Sequence, residues 1–326
     1  MDKRVYGVIG ISSKMANWNA DFTGYPKTTS DGDTFGSDKA LKYPMKKMWE
    51  NQGNKILYIK SMKLSENKGE VSLVPRSLKE RYEHIFGVKD LKDCKSSKEV
   101  LTNLFNALDV KNFGATFAES GNNISITGAV QIGQGFNKYE GTSPEEQQIL
   151  SPFRDASAKS DKKGKKGNDE EGQEAKNSTL GTKIVSNEAH YFYPFAINPM
   201  AYNEFKEMGV TQGYTEEDYN KFKEASLVSA TSFNTNSKVG CENEFALFIE
   251  TEKDLYLPNL SDYIVFEKGE DKNTIKITCL DLINSLADKI NNIEIYYNPY
   301  TTRIESDIKN AKELNIFTKL EIKVGE

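Results

Sequence analysis

The sequence predicts an α+β fold, and three observations carry that prediction. Strand-like and helix-like periodicities alternate along the 326 residues: strand, helix, strand, an odd block, then strand, helix, strand again. The odd block, residues 140–186, has at its centre (159–177) almost no apolar side chain, only Lys, Glu, Asp, Gly, Gln and their like. Such a stretch adds nothing to a core, so it reads as an insertion with a disordered centre. The helix after it narrows on its inner side from Tyr219 and Phe222 to Ser226 and Ser229, which suits close packing on a sheet. Strand–helix–strand twice over is the split βαβ of ferredoxin-like folds, four antiparallel strands with both helices on one face.

The elements justify themselves in order. Residues 5–11 are an apolar run with two glycines, a buried strand. Residues 14–36 form a long irregular loop whose Trp18, Phe22, Tyr25 and Phe35 argue against disorder. Residues 37–50 are helical, with Leu41, Met45 and Met48 on one side and Lys39, Lys42 and Lys46 on another. Pro44 requires that this helix begin near it or kink there. Residues 55–64 read as a strand, 77–86 and 97–108 as amphipathic helices, and 114–135 as a hairpin turning at 120–123. Strand character returns at 189–197. Thr215 and Asp218 make a capping box for a helix reaching about Ser232, and 245–249 is a further buried strand. Beyond Leu255, strands and helices alternate.

Composition narrows the function. Charged residues make up 28% and hydrophobic ones 37%, as in ordinary globular proteins. No eighteen-residue apolar run exists, which excludes a helical membrane span, and the first eleven residues read as a strand, not a signal peptide. Cys94, Cys241 and Cys279 are odd in number and widely spaced, which predicts reduced, packed thiols and a cytoplasmic setting. The net charge is −5, yet residues 1–63 hold eleven Lys/Arg against six Asp/Glu. The N-terminal fifth therefore carries +5 and the rest −10, and a local basic patch is what a polyanion needs.

Catalytic chemistry finds little support. The two histidines, His84 and His190, sit on a charged helix and in a strand, with no triad partner nearby in sequence. Asp21, Asp31 and Asp33 offer too few ligands for a hard cation, and Asp31-Gly32-Asp33 is an ordinary turn. Gly133-Gln134-Gly135 lacks the third glycine of a phosphate loop and reads as backbone approaching a neighbour closely. No catalytic residue, cofactor or metal is expected.

Three motifs then stand out. Asn17-Trp18-Asn19-Ala20-Asp21, followed by Gly24, Pro26 and Lys27, resembles the Asn-x-Asn-x-Asp loop of Cascade backbone subunits. That family is the seventh Cas family, DevR-like, of the RAMP superfamily. Residues 122–131, ending Thr127-Gly128-Ala129-Val130-Gln131, resemble its strand ending in Thr-Gly-Pro-Val-Gln, and Asp109-Val110-Lys111-x-Phe113-Gly114 is similar to the short motif before it. Trp18, Ala20 and Phe22 stand where Pro, Gly and Pro are common, and Ala129 where Pro is common. Order and spacing fit the type I-B branch best.

The resemblance, which covers residues 1 to about 250, implies a ferredoxin-like palm, a scaffold that RNA-recognition modules share. The palm would comprise 1–70, 119–139 and 191–326, the last including a C-terminal extension. Helical fingers would occupy 71–118 and a thumb 140–190. It implies a non-enzymatic subunit that polymerises head to tail along crRNA and presents it to target DNA beside other Cascade subunits. By position, RNA contacts would come from Lys14, Asn17, Asn19, Lys27, Lys39, Lys42, Lys46 and Lys47. One rival within the superfamily is an RNA-processing endonuclease, which would rely on a histidine that the basic segment 1–63 lacks; another is an RNA-cleaving branch of backbone subunits, with Asp31 or Asp33 as the cutting group.

Overall fold

The computed structural model describes residues 1–94, 96–150, 180–306 and 308–322; the stretch expected to be disordered, 159–177, lies outside them. In chain order, β1 (Arg4–Ala16) and the two-residue β2 (Phe35–Gly36) precede α1 (Asp38–Asn51). β3 (Met62–Asn67) and β4 (Glu70–Pro75) make a separate hairpin. Next come α2 (Leu78–Phe86), α3 (Ser97–Phe105), α4 (Leu108–Phe113), and a second hairpin of β5 (Gly114–Phe117) and β6 (Ile124–Thr127). β7 (Val130–Ile132), β8 (Gly135–Asn137), β9 (Pro144–Leu150) and β10 (Leu180–Ile197) follow. α5 (Asn203–Glu207) and α6 (Glu216–Val228) lead to β11 (Cys241–Thr251). The remainder holds β12 (Ile264–Glu267), β13 (Asn273–Ile277), α7 (Leu280–Ser285), β14 (Ile290–Tyr297), β15 (Thr302–Glu305) and β16 (Lys312–Asn315).

The main sheet runs β16-β14-β11-β1-β10-β8-β2, with β7 and β9 also paired to β10. β1 is central and antiparallel to both neighbours, Ile9 lying opposite Tyr193 of β10 and Ala246 of β11. A strand in that position is covered on both faces, which is why its sequence is a continuous apolar run. Alternation sorts its side chains. Val5, Ile9 and Ile11 join a core with Leu41, Met45 and Trp49 of α1 and Tyr219, Phe222 and Ala225 of α6. Tyr6 and Val8 face the opposite core, which the three-stranded sheet β12-β13-β15 covers with Ile264, Phe266 and Ile275. The C-terminal seventy residues, for which the sequence offered no motif, thus close the second face.

Several elements depart from expectation. α1 neither begins at Pro44 nor waits for it: Ser37 caps the helix, its Oγ accepting from Ala40 N at 3.4 Å, and Pro44 sits buried inside. Proline removes one helical donor, but Pro44 is buried along with Leu41, Met45 and Trp49 of the same helix, and such burial offsets the lost bond. Residues 55–61 are not a strand. Ile56, Leu57 and Ile59 are buried, but the amides of Leu57 and Tyr58 donate to the carboxylate of Asp109 at 2.8 and 2.7 Å. A side chain has taken the place of a partner strand. Residues 97–108 split into α3 and α4, because Leu108 N bonds Lys55 O at 2.9 Å and a second helix starts there. The 114–135 hairpin closes as β5–β6, but its second arm breaks at Gly128, and β7 joins the main sheet instead. The 189–197 strand begins nine residues earlier.

Other readings are borne out. Thr215 closes its capping box with Asp218, and Ser77 closes a further one with Glu80 that was not read from the sequence. Tyr219, Phe222, Ser226 and Ser229 are all buried, and the three cysteines are free, Cys241 and Cys279 buried. Gly133 donates its N–H to Pro194 O at 2.8 Å, and Gly135 lies so close to the Tyr193 ring that a Cβ would overlap it. Among the described residues, no helix is long and apolar enough to cross a membrane.

Candidate nucleic-acid interface

The first loop, residues 17–34, is far more structured than its composition suggests. It folds back on itself through bridges between Ala20 and Pro26 and between Thr28 and Thr34. Asn17, Trp18, Asn19 and Asp21 each have an internal task. Asn17 is buried, and its Nδ2 donates to Gly24 O at 2.8 Å and Ile184 O at 3.2 Å. Trp18 is buried and its Nε1 donates to Tyr193 Oη at 2.5 Å. Asn19 Oδ1 accepts from Ser37 N, the cap of α1, at 2.7 Å, while its carbonyl accepts from Lys27 N at 2.9 Å. The two asparagines of the motif therefore brace the loop, one against β10 and one against α1.

Asp21 closes the loop's tip. One carboxylate oxygen accepts from Thr23 N, Thr23 Oγ1 and Tyr25 N at 2.8, 2.7 and 3.2 Å. The bond from the Thr23 hydroxyl, foremost among these, holds the carboxyl below its usual range. Asp31 and Asp33 lie in a turn in which Thr29 N donates to Asp33 O at 2.9 Å. Among the described residues, no group of three or more His, Cys, Asp or Glu could hold a metal ion.

The lysines divide into two sets. Lys39 of α1 is exposed, and Lys14 keeps half of its side chain exposed, with Nζ 3.6 Å from Glu188. Lys27 lies over the Phe35 ring, 5.5 Å from its centroid. Lys42, Lys46 and Lys47 are half-buried and already engaged. Lys42 Nζ pairs with Asp38 at 2.8 Å, Lys47 Nζ with Glu50 at 2.7 Å, and Lys46 Nζ donates to Tyr58 O at 3.2 Å. Lys42 and Lys46 both stand over Phe113, at 5.0 and 5.9 Å. Desolvation drives Lys46 below the usual lysine value and Asp109, buried and near it, above the usual carboxylate value.

One important cation escaped the sequence reading. Lys238, in the turn before β11, donates to Asn17 O at 2.7 Å and to Trp18 O, with its ammonium 5.2 Å from the Trp18 ring centroid. Burial lowers its pKa. Asn17 N in turn donates to Ser237 O at 2.9 Å. Nothing local marks Lys238, because its partners lie some 220 positions earlier in the chain.

The motif around Asp109 is likewise architectural. Asp109 serves the 57–58 amides, Lys111 Nζ pairs with Asp218 at 2.8 Å, and Phe113 stacks on Trp49 at 5.7 Å. Gly114, at φ +83°, meets Gly128 so closely that a Cβ on either would strike the other's backbone. Gly114 belongs to this motif and Gly128 to the Thr-Gly-Ala-Val-Gln one, so their joint occurrence in sequence records a backbone contact.

His190 is fully buried. Its Nδ1 lies 2.8 Å from Glu244 and its Nε2 3.1 Å from Glu188, and its ring stacks on Phe266 at 3.9 Å. Burial opposes its charge, but the two carboxylates prevail and raise its pKa. Through Phe266 it fastens the two sheets.

Residues 3–287 match the family of CRISPR-associated protein Cas7. The chain belongs to this family. Among solved structures, a chain described as "CRISPR RNA-guided surveillance complex, pre-nicking" superposes on the Cas7-family chain with a TM-score of 0.51. The alignment covers 97% of each chain at 14% identity, a likeness of fold. No curated protein matches the Cas7-family chain in sequence.

Proposed function

We propose that this Cas7-family chain is a backbone subunit of a CRISPR surveillance complex of the type I-B branch. It polymerises along crRNA in the cytoplasm, beside other Cascade subunits, and presents the guide for pairing with target DNA. The observation that carries this reading is the family match over residues 3–287, joined to a built first loop flanked by the cations of β1 and α1. The protein supplies backbone contacts and geometry; specificity comes from base pairing.

A ferredoxin-like palm (1–70, 119–139, 191–326) is supported by the order β11-β1-β10-β7, by β1 being antiparallel to both neighbours, and by α1 and α6 sharing one core. Fingers at 71–118 would comprise α2–α4 and the β5 strand. A thumb at 140–190 would begin as the β9–β10 arms, in which Glu145 pairs with Val185. Lys14 and Lys39 are the RNA contacts best supported by exposure, while Lys27 is half-buried over the Phe35 ring. Lys42, Lys46 and Lys47 would have to exchange an internal partner for phosphate, and Asn17 and Asn19 would act by holding the loop.

The test is co-expression with a CRISPR array. RNA of guide length should co-purify with the protein, and labelled RNA incubated with the complex and Mg²⁺ should stay intact. Purification as bare protein would refute the proposal. Cleavage abolished by Asp33→Ala would move the chain to the endonucleases.

A further inference from the structure

Phe22 stands at the tip of the first loop with its side chain wholly exposed, 101% of the reference area. Leaving a phenyl ring in water forgoes burial that chains ordinarily exploit. A lone exposed apolar residue on a slack loop would mean nothing, but this loop is closed around Phe22. Asp21 N donates to Tyr25 O at 2.8 Å, Gly24 N to Asp21 O at 3.3 Å, and the Asp21 carboxylate takes three further donors. Gly24, at φ +94°, supplies the left-handed residue that this turn needs.

The turn is also anchored from below. Gly24 O accepts from buried Asn17, and Tyr25 Oη bonds Glu146 of β9. Gly24 also packs by Ile184 of β10, whose carbonyl takes the second Asn17 bond. Beside Ile184, Lys183 reaches Asn236 at 3.3 Å, in the same turn as Lys238. The result is a rigid mount carrying an aromatic face, with a half-exposed Tyr25 next to it and Lys14 and Lys183 on the two adjoining strands. The neighbouring carboxylates, Asp21 and Glu146, are both occupied by internal donors.

We propose that Phe22 stacks on a base of the bound RNA, one contact for each copy along the guide. This rests on the RNA-binding reading above and adds a residue that reading does not use. An exposed aromatic ring on a fixed turn, with lysines on the strands that flank the loop, is an arrangement that can hold single-stranded nucleic acid without reading its sequence. A protein partner would instead require a broad apolar surround, whereas the tip as described shows half-exposed Tyr25 and, below it, Ile184 packed by Gly24.

The experiment uses the full chain with a guide RNA carrying 2-aminopurine at successive positions. Wild type should quench fluorescence at positions recurring once per copy. Phe22→Ala should abolish that quenching and weaken binding roughly 5- to 150-fold, the range for one base stacked on an aromatic ring. Phe22→Trp should restore both. Unchanged affinity and quenching in Phe22→Ala, with wild type binding RNA normally, would overturn the stacking role and leave the function standing. Wild type that binds no RNA would overturn both. A Phe22→Ala effect confined to self-association without RNA, read by sedimentation, would make the ring a protein contact and also overturn the proposal.

Discussion

Two sets of lysines, close in sequence, occupy opposite situations. Lys46 is half-buried against Tyr58 and Phe113, near the carboxylate of Asp109. Lys14 and Lys39 reach solvent. Both sets belong to the same N-terminal basic excess, and on a helical wheel Lys39 and Lys46 share a face. The difference lies in what the far chain lays over that face: α4 and the 55–61 segment reach α1 from Lys42 to Trp49 and leave Lys39 exposed. A basic run therefore predicts a charged region, whereas the packing of distant elements decides which of its charges remain available to a ligand.

The comparison can be broken most forcefully at Asp109. Asp109→Ala would strand the Leu57 and Tyr58 amides in the core, each an orphaned donor, so a loss of about 3 kcal/mol or more is expected by chemical denaturation. A variant as stable as wild type would show that the buried site is not a structural hub.

A second buried cation sharpens the point through pH. The folded-state pKa of His190 is raised above 6.5 by Glu244 and Glu188, against the burial that opposes it. Its stabilisation is therefore complete below the unfolded value and fades as pH rises through the folded one. Denaturation midpoints should fall across that window, the charge-assisted bonds being worth roughly 1.5–3 kcal/mol. His190→Gln should flatten the profile; a wild-type midpoint that rises across the window would contradict the charged assignment.

Smaller effects test the lysines themselves. Lys46→Met keeps the aliphatic stem and removes the bond to Tyr58 O, so about 1 kcal/mol of stability should go. Lys14→Ala and Lys39→Ala should leave stability within about 0.5 kcal/mol. In RNA binding across a salt series, each should flatten the log–log slope by roughly 0.7 per contact. Equal stability losses in all three variants would erase the distinction.

Much of this was legible locally. The capping box at Thr215 is complete within four residues, and the apolar run at the start of the chain announced a buried strand. The narrowing of α6 to Ser226 and Ser229 foretold its close approach to the sheet. The misreadings share one cause, a partner far away in the chain. Residues 55–61 look like a strand because Ile56, Leu57 and Ile59 are apolar, yet Asp109 takes the hydrogen bonds a neighbour strand would have made. Pro44 looked like a helix boundary because the burial that offsets it comes from elsewhere. The internal bonds of the motif asparagines, Asn17 to Gly24 and Ile184 and Asn19 to Ser37, likewise had no local signal. Lys238 carried no local signal at all.

β10 runs unbroken for 18 residues, from Leu180 to Ile197. Its second half lies in the core between β1 and β7, and its first half pairs with β9 outside it. At about 3.3 Å per residue the strand spans nearly 60 Å. The outlying arm is therefore a cantilever whose root is clamped in the sheet interior. Because β10 enters the sheet with no loop to serve as a hinge, the bearing of the arm is inherited from the twist of the sheet, and any force on its tip is delivered as torque to the strand beside β1.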